Sequence, residues 1–193
     1  MVHLIIEGCD RTGKDTIVQG ISSLFDNVVI RHFSFPKGET DDQKKLFQQQ
    51  YFTNEFSLAS RRTDFSTAPG RNSDIWIWNR GHLGEFVYGT LYRNTEPEKW
   101  VLDMEKIFWV DQDPTVFLLL LTGNVKVLSG LDDNKSFRHS SEARYKEQMK
   151  FVEAYHKSSI QNKLQVRVTN DREFLPKEEI LQQVKEFIGY ELH

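Results

Sequence analysis

An apolar, β-branched run, Val2 to Glu7 (VHLIIE), stops at Gly8 and is followed from Lys14 by apolar residues at helical spacing, Ile17, Val18, Ile21 and Leu24. Strand, loop and helix in that order begin an α/β chain. The alternation continues. Asn27 to Phe33 reads as a second strand, closed by Phe35-Pro36, where proline removes a donor and biases the preceding residue toward extended backbone. Thr40-Asp41-Asp42-Gln43 has the capping-box pattern and opens a long helix through Leu46, Phe47, Phe52, Phe56 and Ala59 to about Arg62. Thr63 to Ser73, with Pro69-Gly70, reads as loop, and Ile75 to Trp78 as a third strand ending in Asn79-Arg80-Gly81. Helices are expected through Leu83, Phe86, Val87 and Leu91, and from Glu98 to Trp109. Thr115 to Leu121 is a continuous apolar strand suited to burial on both faces of a parallel sheet. A helix from about Asn124, a polar segment from Asp132 to Ser140, a helix from Ser141 to about Lys157, a strand from Leu164 to Val168 and a last helix from Pro176 complete the chain. The pattern predicts a three-layer α/β fold with a mostly parallel, five-stranded sheet.

At 193 residues, 38% hydrophobic and 27% charged, the chain has the balance of one soluble domain spanning 1–193, without internal repeat or linker. With 25 Lys+Arg against 28 Asp+Glu, the net charge of -3 supplies no global attraction to nucleic acid or anionic membranes, so stable nucleic-acid binding is not expected and phosphate-binding groups must be local. The longest uninterrupted apolar run, Val116 to Leu121, is too short for a membrane span, and the chain enters its first strand without a signal peptide; the expected location is the cytoplasm. The single cysteine, Cys9, has no second thiol for a disulfide or a zinc cluster.

Chemistry concentrates between the first strand and the first helix. Gly8-Cys9-Asp10-Arg11-Thr12-Gly13-Lys14 matches the first seven positions of GxxxxGK[ST] in the context that motif requires. Its glycines let backbone N–H groups turn inward around anionic oxygens, the helix start adds its positive dipole end, and Lys14 can reach the outer phosphates of a nucleotide. The eighth position departs: Asp15 stands where a hydroxyl normally meets Mg2+, with Thr16 one place later.

The longer string from Glu7 to Lys14 resembles the phosphate loop of the thymidylate kinases, which reads E-G-x-D-[RG]-x-G-K-[ST]-T. Phe35-Pro36 resembles that family's Phe-Pro turn, Asn79-Arg80 falls where it has Asp-Arg, and Ala143-Arg144-Tyr145 resembles its lid-side Glu-Arg-Tyr. The resemblance implies a P-loop kinase that passes the γ-phosphoryl group of ATP, with Mg2+, to a deoxynucleoside 5'-monophosphate, dTMP or a related pyrimidine nucleotide. It implies Lys14, Arg11 and Arg80 as catalytic residues, with Arg11 as an in-chain arginine finger. It places ATP on Gly8, Cys9, Asp10, Arg11, Thr12, Gly13, Lys14, Asp15, Thr16 and Arg138, the last in a lid at about 132–144 that also carries Lys135 and Arg144. It assigns the acceptor to Asp10, which would take the 3'-hydroxyl, and to Phe35, Arg61, Arg62, Arg80, Tyr88 and Tyr145. A homodimer through the second and third helices is also implied.

Asn79 is the second departure, since the family has a carboxylate there. Asp15 and Asn79 together read as a swap: the metal shell keeps one carboxylate but takes it from the loop side, making both residues metal-site candidates. Two rival functions share the scaffold. A kinase of a nucleoside, polynucleotide or modified-base hydroxyl would need a general base; Arg31 to Pro36 holds no carboxylate, leaving Asp10, Asp15 or Glu85. A nucleotide-binding module with weak or no turnover is the other.

Overall fold

The computed structural model describes residues 2–33, 35–60, 75–93, 95–109, 115–130 and 140–189. Five strands, β1 (Val2–Glu7), β2 (Val28–His32), β3 (Ile75–Asn79), β4 (Val116–Thr122) and β5 (Asn162–Arg167), form one parallel sheet in the order β2-β3-β1-β4-β5. The chain therefore starts in the middle of its own sheet. Seven helices among the described residues cover it: α1 (Lys14–Ser22), α2 (Asp41–Ser60), α3 (His82–Tyr92), α4 (Glu98–Phe108), α5 (Val125–Gly130), α6 (Ser141–Lys157) and α7 (Lys177–Phe187). Every strand and helix read from the sequence is present, with ends shifted by one or two residues. The loop expected at 63–73 lies outside the described residues, as does most of the expected lid; Ser140 caps α6 through Ala143 N–H at 3.1 Å, so residues 141–144 are its first turn.

The sheet's two faces bury two separate cores, as a parallel sheet covered on both sides must. On one, Trp76, Trp78, Phe52, Phe56, Phe86, Leu118 and Phe151 meet beneath α2, α3, α4 and α6. On the other, Leu4, Ile6, Ile17, Ile77, Leu119, Leu121 and Val184 pack under α1 and α7. Trp76 and Trp78 are 1% and 0% exposed, which makes them core and not a platform for a base. The capping box forms in both directions: Gln43 N–H donates to Thr40 Oγ1 at 3.2 Å, and Gln43 Oε1 accepts from the backbone of Glu39 and Thr40. No helix among the described residues is long and apolar enough to cross a membrane.

This order has a consequence for function. The connection leaving β1 runs toward β2 and the one leaving its neighbour β4 runs toward β5, so the two diverge, which opens a crevice at the carboxyl end of β1, where open α/β sheets bind ligands.

Candidate active site

The turn from β1 into α1 occupies that crevice. Gly8 has φ 142 and Gly13 φ 78, both in the left-handed region, and a Cβ on Gly8 would lie 2.4 Å from the carbonyl oxygen of Leu121. No other residue fits at position 8. Arg11 also has a positive φ, 70, as does Arg80, 71, at the end of β3; strained backbone of this kind concentrates at functional sites.

Lys14 is 5% exposed and folded over its own loop. Its Nζ donates to the carbonyl oxygen of Gly8 at 2.8 Å, to that of Cys9, and to Thr12 Oγ1 at 3.4 Å. Burial, and then the Arg80 guanidinium, push its ammonium down to about 7. An anion beside Nζ would reverse both effects. Cys9 is pushed up to about 12 by burial and then by Glu147, which leaves it an inert thiol.

Arg80 and Asp10 form an ion pair. Burial alone would raise the Asp10 carboxyl, but Arg80 and Lys14 outweigh it and hold the group below the ordinary carboxylate range. The two sequence departures touch: the Asn79 amide donates to Asp15 and lies 3.1 Å from Nδ1 of His32. Asp15 thus offers a hard-oxygen ligand oriented by a neutral neighbour. Among the described residues there is no group of three or more His, Cys, Asp or Glu that could hold a metal ion.

Two cavities meet at this corner. One, of about 640 Å³, runs along Asp10 to Ile17 and Arg80 to Val168, Phe174, Leu175, Lys177 and Ile180. The other, of about 440 Å³, lies under Phe33, Phe35 and Pro36 and is floored by Glu7, Gly81, Gly84, Glu85 and Tyr88, with Arg93 and Phe151 beyond. Asp10 and Arg80 line both.

The predicted residues divide accordingly. Positions 8–16 and Arg80 come together around the loop; Phe35 and Tyr88 line the second cavity. Phe35 is 74% exposed. Tyr145 is exposed and lines neither cavity, because α6 turns it outward. Arg144, expected to move with the lid, is 1% exposed and bonded to Ser129 Oγ at 3.0 Å, a buried strut between α5 and α6. Arg61, Arg62, Lys135 and Arg138 lie outside the described residues.

The lining residues of the β5–α7 connection escaped sequence reading. The β5–α7 connection folds back through a Thr169–Phe174 bridge, with Leu175 N–H donating to Val168 O at 2.9 Å, and this sets apolar side chains beside the loop. Its local sequence carries no motif. Glu85 is paired with Arg93 inside the second cavity, and burial, only partly countered by Arg93, pushes its carboxyl up to about 7. His82 is fully buried against Glu105 at 2.6 Å and among Phe56 and Trp109, a packing role.

A glycine-bearing turn from the central strand into a helix, on a 2-3-1-4-5 parallel sheet, is the architecture of a P-loop kinase-like fold. No family profile and no curated protein matches the chain. Among solved structures it is similar to the YorR protein from Bacillus subtilis, solved in complex with phosphorylated GDP, at 14% identity and TM-score 0.61 over 100% of both chains. It is similar also to the thymidylate kinase from Candida albicans, at 14% identity and TM-score 0.62 over 97% of this chain and 91% of that one. At that identity the likeness is one of fold.

Proposed function

We propose that the protein is a cytoplasmic nucleoside monophosphate kinase, transferring the γ-phosphoryl group of ATP to a deoxynucleoside 5'-monophosphate, with thymidylate or a related pyrimidine nucleotide as acceptor. The observation that carries this is the sharing of Asp10 and Arg80 by the two cavities. A donor polyphosphate laid along residues 8–16 and an acceptor in the second cavity would point their reacting groups at the same guanidinium.

The residues suit phosphate as the nucleophile. An acceptor phosphate oxygen already carries charge, so the protein needs to position and to neutralise more than to remove a proton. Lys14 would exchange the carbonyl oxygens of Gly8 and Cys9 for the outer phosphate oxygens of the donor, Arg80 would bridge donor and acceptor, and Arg11 would lie over the polyphosphate. Phe33 and Phe35 frame the acceptor cavity and offer faces for a base. Asp15, oriented by Asn79, would hold Mg2+, which neutralises charge on the β- and γ-oxygens when bound. Arg61, Arg62 and Arg138 complete the reading as further phosphate cations, and Leu46 and Leu58, exposed on α2, suit a homodimer that uses that helix.

A second reading has its own support. Glu85, near 7 and lining the acceptor cavity, has the proton affinity of a general base for a hydroxyl acceptor. One panel separates the two: ADP formation with ATP-Mg2+ against each deoxynucleoside and each deoxynucleoside monophosphate, with products identified. Diphosphate from a monophosphate is the expected result. Monophosphate formed from a nucleoside would favour the second reading, and no turnover with any acceptor would favour a nucleotide-binding module.

A further inference from the structure

The main chain at Arg80 is fixed, while its side chain can change partners. With φ 71 it follows the end of β3, and its N–H donates to the Ile6 carbonyl at 3.0 Å. The next residue, Gly81, donates to Glu7 Oε1 at 3.0 Å, so two successive residues are tied to β1. From that anchor the guanidinium reaches the Asp10 carboxylate through Nη2. Both side chains keep contact with solvent, at 35% for Arg80 and 24% for Asp10. Ion pairs of that exposure are weak, and this one can open without disturbing either strand.

Asp10 and Arg80 also line both cavities. A carboxylate and a phosphate compete for the same planar fork of guanidinium donors, and the more highly charged phosphate is the stronger partner. Asp10 therefore occupies donors that a phosphate in either cavity would take. The first ligand has to displace the carboxylate. The second meets a guanidinium already released, with five N–H donors to divide between two phosphates. Two ligands that need the same minor arrangement assist one another, by the factor that the majority arrangement withholds from each alone.

We propose that the Asp10–Arg80 pair is a latch coupling the two cavities: closed, it withholds Arg80 from both ligands, and opened by one ligand it favours the other. The proposal rests on reading the cavities as donor and acceptor sites. It gives Asp10 a part in assembling the reacting pair that is separate from any contact Asp10 makes with a nucleotide. Such coupling favours the complex holding both substrates over either half-filled one.

The test is calorimetric titration of the full chain, in Mg2+, with two ligands. One is adenosine 5'-(β,γ-imido)triphosphate, whose γ-phosphoryl group does not transfer; the other is the tightest-binding deoxynucleoside 5'-monophosphate. Each is titrated alone and against saturating amounts of the other. The wild type should bind each ligand about 5-fold more tightly when the other is present. Asp10→Asn and Asp10→Ala, which leave the latch open, should bind the triphosphate analogue alone about 5-fold more tightly than the wild type and bring the coupling factor to about 1. Because one equilibrium sets both, the gain and the loss should agree within about twofold. Weaker binding of the analogue by both variants would make Asp10 a ligand contact and no latch. Tighter binding with unchanged coupling would register only the loss of a nearby negative charge. Either result, a wild-type coupling factor of about 1 or below, or failure of either ligand to bind would overturn the proposal. Coupling that vanishes with Asp10, without diphosphate formation in the turnover panel, would leave the latch standing and defeat the phosphoryl-transfer reading. Diphosphate formed by a wild type that shows no coupling would do the reverse.

Discussion

Lys14 is held by carbonyl oxygens of its own loop, with its ammonium pushed down to about 7 by burial and by Arg80. In the unfolded chain the same group returns to its ordinary value of 10.5, so between about 7 and 10.5 the unfolded chain holds more protons. This group's contribution to stability therefore rises with pH across that window. Polyphosphate beside Nζ should restore the proton. Calorimetry of ATP binding at pH 8 in buffers of different ionisation enthalpy should register uptake of up to about one proton, fading toward pH 6 and absent from Lys14→Gln. No uptake at pH 8 would mean that Lys14 does not meet the phosphates.

Asp15 and Asn79 depart from the thymidylate kinase pattern singly in the sequence but as one hydrogen-bonded unit in space. Contacting residues couple, so their replacements should not be additive. Asp15→Ser alone should cut Mg2+-dependent turnover about 100-fold, as losses of metal-shell groups do. Adding Asn79→Asp, which moves the carboxylate to the strand side, should recover at least about 10-fold. Asp15→Ser with full metal-dependent turnover, or strictly additive losses, would reject the exchanged arrangement.

The elements around the site were readable because each follows from a local rule. The capping box at Thr40 and Gln43 marked the start of α2, and the six-residue apolar run at Val116 to Leu121 announced a strand buried on both faces. The loop between β1 and α1 was readable because its glycines answer different demands. A Cβ at Gly8 would strike the backbone of β4, whereas Gly13 has only its left-handed φ of 78 and open space. Gly8→Ala should thus destabilise the fold by at least about 3 kcal/mol, and Gly13→Ala by only about 1–2 kcal/mol, as judged by urea unfolding. Equal losses would contradict the packing described here.

What the sequence could not disclose is what comes together from distant positions. Val168, Phe174 and Leu175 reach the loop only because β5 lies two strands from β1 in the sheet and its connection folds back. Glu7 stood in the motif string without a role, since its importance lies in two amides more than 70 residues away. Tyr145 and Arg144 show the converse: adjacent residues on α6, one exposed and one buried, whose roles neighbouring letters cannot separate.

The molecule as a whole is organised so that the turn after β1 borders both cavities, and one ion pair, Asp10 with Arg80, stands where they join. If they are the two halves of a single phosphoryl-transfer site, one molecule that fills both should gain over either half alone. The deciding measurement is the calorimetric affinity of an adenosine and a deoxynucleoside joined through five phosphates, the deoxynucleoside being that of the preferred acceptor. The protein should bind it one to one, at least about 100-fold more tightly than ATP. Affinity no greater than that of ATP, or binding of two such molecules per chain, would show that the cavities serve separate ligands and would contradict the account.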